Sequence, residues 1–197
     1  MPLSDLERAI LGVDGWLSQE EAAALYTAAV QAPPEAGACT AVEIGSWKGR
    51  STIALALAVR DRSGQGRVWA VDHHTGSSEH RTAGPVWTLP DFRNNIARAG
   101  VEPWVEALVM TSRQARARFA PGDVHLLWID GAHEYEAVCE DLDLWLPTLA
   151  PGAVCAFDDC TWPPVSRALD ERGVVPGGAF TEFRTVGKVL LCRCGRT

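Results

Sequence analysis

Two patterns about thirty residues apart restrict this chain more than anything else in it. The first is Val42-Glu43-Ile44-Gly45-Ser46-Trp47-Lys48-Gly49-Arg50-Ser51, and the second is Val68-Trp69-Ala70-Val71-Asp72. A largely apolar run from Cys39 to Ile44 carries an acid near its end, meets a glycine turn, and gives way to a helical stretch opened by a second glycine. The next apolar run ends in Asp72. Strand, glycine turn, helix and a second strand tipped with a carboxylate make half of a doubly wound, nucleoside-binding unit. In that frame Gly45 permits the tight turn, Gly49 lets the helix start close to the ligand, and Asp72 accepts hydrogen bonds from ribose hydroxyls.

The spacing between the glycines separates two ligand classes. Dinucleotide sites use G-x-G-x-x-G, which sets bare amides and a helix N-terminus against a pyrophosphate. Here the pattern is E-x-G-x-x-x-G, with bulky Trp47 and Lys48 between the glycines. A carboxylate at Glu43, two residues before the first glycine, suits an amino group better than a phosphate. That favours S-adenosylmethionine, which carries an ammonium on its methionine end, over NAD.

The rest of the chain is consistent with one α/β unit. Its 197 residues suffice for one well-buried core and are too few for two full-sized domains. We expect a single domain over 1–197, with an N-terminal helical segment over 1–34 and a Rossmann-like core over 35–197. Predicted helices cover 4–11 and 18–32; Ser18 and Glu21 form a capping box and Pro33-Pro34 ends the second helix. Strands then follow at 39–44, 67–72, 105–110, 124–130 and 153–158. Helices intervene at 49–60, 90–99, 112–119, 136–147 and 164–172. β-rich stretches near 179–185 and 187–193 end the chain as an antiparallel edge hairpin. The alternation predicts a doubly wound, mostly parallel seven-stranded sheet.

Composition removes other classes. A net charge of −7, with only Lys48 and Lys188 as lysines and the sixteen arginines scattered, leaves no basic stripe for a nucleic acid. No apolar run approaches the roughly 20 residues of a membrane span. The opening Met1-Pro2-Leu3-Ser4-Asp5 lacks the basic start and apolar core of a secretory leader, so a cytoplasmic location is expected. Six cysteines read as reduced thiols; Cys39 and Cys155 fall in apolar strands, and Cys192-Arg193-Cys194 lacks a second pair for zinc.

Chemistry-bearing residues gather at strand ends. Strand four runs into Asp130-Gly131-Ala132-His133, and strand five into Asp158-Asp159. If these strands are neighbours, three carboxylates converge, and they repel unless a cation neutralises them. An all-oxygen set suits Mg²⁺ or another hard divalent cation. His133, at the mouth of the crevice, can take a proton from a hydroxyl; His73, His74 and His80 are reserve bases. The last three lie in a long connection, residues 73–89, that reads as a mobile lid. Trp47, Trp87 and Trp162 could wall an acceptor pocket, while most of the eight tryptophans are expected in the core.

With these stretches and Leu149-Ala150-Pro151-Gly152 in order, the chain resembles class I S-adenosylmethionine-dependent methyltransferases. It is similar to the small bacterial group that includes cephalosporin-hydroxylase-like and macrolide-sugar O-methyltransferase proteins. The resemblance implies that Glu43, Gly45 and Ser51 line the methionine end of the cofactor, with Ser46, Trp47, Gly49, His73 and Asp130 among its other contacts. Asp72 would hold the ribose and Ser112 would sit by the adenine. Compared with metal-dependent catechol-type enzymes, Asp130, Asp158 and Asp159 fall on the metal ligands, and His133 falls where those enzymes keep a lysine base. Ala132 stands where the related group commonly has an acid. The implied activity is metal-assisted O-methylation of a small hydroxylated metabolite, within secondary metabolism. The alternatives are an NAD-dependent oxidoreductase and a non-catalytic binding protein of the same fold. The N-terminal helices could cover the crevice or pair two subunits as a homodimer.

Overall fold

The computed structural model describes residues 3–33, 37–62, 64–78, 80–120 and 122–195. Met1, Pro2, Pro34, the expected segment boundary at 34/35, and Glu79 of the long connection lie outside them. The elements run α1 (Leu3–Ile10), α2 (Gln19–Val30), β1 (Cys39–Ile44), α3 (Arg50–Arg62), β2 (Gly66–Val71), α4 (Leu89–Arg98) and β3 (Val105–Leu108). Then come α5 (Ser112–Arg116), β4 (Val124–Ile129), α6 (Tyr135–Trp145), β5 (Leu149–Phe157), α7 (Pro163–Glu171), β6 (Phe180–Val186) and β7 (Val189–Cys194). Short 3-10 turns cover His80–Ala83, Glu102–Trp104 and Leu146–Thr148. Among the described residues, no helix is long and apolar enough to cross a membrane.

The seven strands form one sheet in the order β3-β2-β1-β4-β5-β7-β6. β1 to β5 pair in parallel, and β7 enters antiparallel between β5 and β6. The strand order reverses at β1, where α/β sheets open a ligand crevice at their carboxyl ends. Register does the rest. Ile44 stands opposite both Val71 and Ile129, and Ile129 stands opposite Phe157. The residues that follow, Gly45, Asp72, Asp130 and Asp158, therefore leave the sheet side by side.

Strand alternation assigns each side chain to a face. Cys39 and Ala41 of β1 join one core with α1, α2, α3 and α4; Val42 and Ile44 join the other, with α5, α6 and α7. α3 is buried from Ser51 through Val59, because the sheet lies under it and α2 packs over it. A helix apolar on all sides needs such a sandwich.

Boundaries shift where local chemistry overrides the pattern. β5 begins at Leu149 instead of 153, and the pairing with β4 slips between Val124 and Leu126 to accommodate it. α5 ends at Arg116, well short of 119. Its capping box is sound: Gln114 N donates to Thr111 Oγ1 (3.3 Å) and Thr111 N to Gln114 Oε1 (3.0 Å). The predicted Ser18–Glu21 box at α2 is present, with Ser18 N to Glu21 Oε2 at 2.8 Å.

Of the eight tryptophans, only Trp128 and Trp145 are fully buried, whereas Trp16, Trp87 and Trp162 are exposed. The expectation of a mostly core role is thus corrected. Cys39 and Cys155 are buried as expected, and so are Cys192 and Cys194, on one face of β7. No metal-binding cluster involving these thiols occurs among the described residues.

Candidate active site

The strand ends open into a cavity of about 1050 Å³. Gly45, Ser46, Trp47, Ser51, Asp72, His73, Ser112, Asp130, His133, Asp158 and Asp159 all line it. Two of the expected ligand contacts do not.

Glu43 is 0% exposed and lies beneath the cavity. Strand alternation turns it onto the same face as Ala41, toward α3, where Ser51 Oγ donates to its Oε1 at 2.5 Å and Thr52 Oγ1 donates to Oε2. Burial pushes its carboxyl up to about 7. Glu43 thus grips the first turn of α3 from below, and Ser51 is the member of that pair that reaches the cavity.

Gly49 is the second correction. A Cβ there would stand 3.2 Å from both Ile96 Cδ1 and Phe92 Cδ2, so the glycine serves the packing of α4. Gly45, by contrast, is required for the turn itself. Its φ is +87°, and a Cβ would meet the carbonyl oxygen of Asp130 at 2.0 Å.

Asp72 is committed to the loop as well as to the cavity. Ser46 N and Trp47 N donate to its Oδ2 (3.0 and 2.8 Å), and His74 N donates to Oδ1 (2.6 Å). The carboxylate staples the glycine turn to the start of the long connection. That connection is not featureless: Thr88 N donates to His74 O (3.0 Å) across its base, and Ser78 Oγ bonds to Glu134. His74 is removed from the list of bases. It is buried off the cavity against Phe92, its Nδ1 is 2.9 Å from Thr88 Oγ1, and burial holds its pKa down.

Several features escaped the sequence. Arg50 Nε donates to Leu17 O (2.6 Å) and Nη1 to Ile10 O (3.1 Å) and Val13 O (2.9 Å). This guanidinium draws the segment after α1 over the crevice, so that Asp14 to Leu17 line the cavity. Trp16 then joins Trp47 and His80, whose rings stack at 4.5 Å and 28°. Trp87, expected in this wall, lies outside the cavity lining, while Trp162 belongs to it. The buried indole Nε1 of Trp47 has no hydrogen-bond partner among the described residues, a donor still in want of an acceptor. At the other end, Ser112 accepts from Trp145 Nε1 (2.8 Å) and hydrogen-bonds Asp141, a further acid lining the cavity that burial pushes up to about 6.

The three expected carboxylates line one cavity, yet among the described residues no group of three or more His, Cys, Asp or Glu is arranged to hold a metal ion. Burial and then the charge of Asp158 push Asp130 well above its ordinary range, and burial raises Asp158 too. The neighbouring carboxylates each disfavour the charge of the other. His133 Nε2 lies 3.0 Å from Asp159 Oδ2, with its ring 5.0 Å from Trp162. The expected Mg²⁺ does not fit this arrangement. The ammonium of Lys188 already stands there, bonded to Asp158 Oδ2 and 3.3 Å from Asp159 Oδ1. Burial works against its charge, but the bond to Asp158 and the surrounding carboxylates outweigh that and hold its pKa high.

A family profile described as a methyltransferase domain matches residues 42–160, from the glycine turn to the carboxylate cluster. The chain belongs to this methyltransferase family. Solved structures share its fold. Cofactor-bound Rv0187 from MTB is 24% identical over 99% of this chain and 88% of its own, with a TM-score of 0.68. The O-methyltransferase TomG from Streptomyces achromogenes, in complex with SAM, is 20% identical over 98% and 88%, at 0.65. The O-methyltransferase NovP is 16% identical over 92% and 84%, at 0.73.

Proposed function

We propose that this methyltransferase uses S-adenosylmethionine to methylate a hydroxyl group of a small hydroxylated acceptor. One observation supports the reading: a single cavity joins the glycine turn and Ser112, where the family resemblance sets the cofactor, to a His133–Asp159 pair. In this reading the turn over Gly45 to Trp47 and the Ser51 hydroxyl hold the methionine end. Ser112 and Asp141 face the base.

When bound, the cofactor supplies an electrophilic methyl on a sulfonium. A neutral alcohol attacks that methyl poorly, so the protein must align it and take its proton. His133 would take the proton of the acceptor's hydroxyl as that oxygen is methylated. Asp159, 3.0 Å from Nε2, stabilises the resulting imidazolium. Trp162 and Trp47 supply apolar walls for the acceptor's body.

Calorimetric titration of S-adenosylhomocysteine into the purified protein tests the cofactor half. Micromolar binding is expected, with NADH failing to compete; hydroxylated acceptors are then screened for methyl transfer. Absence of binding would overturn the proposal and favour a nicotinamide or scaffold role.

A further inference from the structure

Carboxylates clustered at strand ends need a cation, and this chain brings its own. Lys188 sits in the turn between β6 and β7, far in sequence from the acids it meets. Its backbone is fixed from both sides. Lys188 N donates to Glu21 Oε1 of α2 (2.9 Å), and Lys188 O accepts from Cys160 N (3.0 Å). Neighbouring Gly187 has φ +56°, and a Cβ there would meet Glu21 Oε1 at 2.2 Å, so the turn cannot shift without losing that anchor. The side chain then runs in to Asp158 and Asp159 and is only 25% exposed.

We propose that Lys188 is the resident cation of the Asp130–Asp158–Asp159 cluster, and that it positions Asp159 on His133 so that methyl transfer needs no divalent metal. A divalent ion would bind these oxygens at about 2.0–2.6 Å and cannot share the space with an ammonium already bonded to them. Asp159 is spanned by two partners, Lys188 on Oδ1 and His133 on Oδ2. It holds a left-handed backbone, φ +48°, to meet both. Residue type agrees with the role. The chain has sixteen arginines and two lysines, and a compact ammonium with three rotatable donors suits a gap between two carboxylates where a planar guanidinium does not.

The consequence for turnover rests on the methyl-transfer reading, whereas the cation assignment is measured without turnover; S-adenosylhomocysteine binding reports on the first and manganese uptake on the second. The protein, freed of metal with EDTA, is titrated with MnCl₂ and the free ion followed by electron paramagnetic resonance. Wild type is expected to take up no stoichiometric Mn²⁺, and Lys188→Met to bind one ion at least about tenfold more tightly. Adding Asp158→Asn to that variant should abolish the gain. Circular dichroism of each variant reports on its folding. The proposal is overturned if wild type binds one Mn²⁺ per chain and Asp158→Asn removes it. It is equally overturned if folded Lys188→Met gains none. Should Lys188→Met fail to fold, the wild-type titration still decides.

Discussion

Ser51 Oγ donates to Glu43 Oε1 at 2.5 Å, tying the first turn of α3 to a carboxylate with no exposure to solvent. The burial of that carboxylate, which the Ser51 and Thr52 bonds only partly offset, makes stability depend on pH with a definite sign. Glu43 titrates at about 7 in the folded chain because burial disfavours its charge, against an ordinary value of 4.5. Between those values the folded state binds the extra proton, so stability is full below pH 4.5 and is lost as pH rises to about 7. Wild type is expected to lose about 2–3 kcal/mol from this group between pH 5 and pH 8, a loss absent in Glu43→Gln. Urea unfolding of both proteins at the two pH values measures the difference; equal slopes would refute it.

Gly45→Ala should be among the most damaging single changes. The new methyl collides with the Asp130 carbonyl, and the backbone sits at φ +87°. The expected cost is about 2–5 kcal/mol in denaturant unfolding, with loss of S-adenosylhomocysteine binding. Gly122→Ala, with open space around it, is the control that bears strain alone.

His133→Ala should lower kcat about 10²–10⁴-fold while leaving S-adenosylhomocysteine affinity within about threefold. Asp159→Asn keeps shape and removes charge from the partner of Nε2, and a smaller loss of kcat is expected. A variant that loses cofactor binding and not turnover would place His133 on the wrong ligand. Single-turnover kinetics at saturating cofactor make the distinction.

Trp16 is 63% exposed, so Trp16→Ala should change stability by no more than about 0.5 kcal/mol. Its ring nonetheless packs on Trp47 and His80 at the cavity wall. Loss of that surface is expected to raise KM for the acceptor about 2–10-fold with cofactor affinity unchanged. A change in cofactor affinity instead would move the aromatic cluster to the other ligand.

Element order and sheet class were legible because hydrophobic period and glycine punctuation act locally. The placing of Asp130, Asp158 and Asp159 on one cavity was legible for the same reason, once β4 and β5 are neighbours. What the sequence hides is facing and distance. Glu43 looks like a ligand contact from its place before Gly45, yet odd positions of β1 face α3, and nothing local reveals which face that is. Lys188 lies 30 residues from Asp158 and enters only because β7 folds back beside β5. Arg50 is equally opaque, since its three acceptors are backbone carbonyls and leave no side-chain signature.

Arg50 opens α3, the helix whose first turn Glu43 grips from below, while its own guanidinium carries residues 10–17 above the cavity. Roof and floor are therefore one mechanical piece with a single rivet. A ligand that presses the roof upward must work against α3 itself, so arrival of cofactor should be felt as slowed amide exchange along Arg50 to Ala54, the opening turn of that helix. The protein would then report an occupied cavity through its own backbone, with no chromophore or label attached.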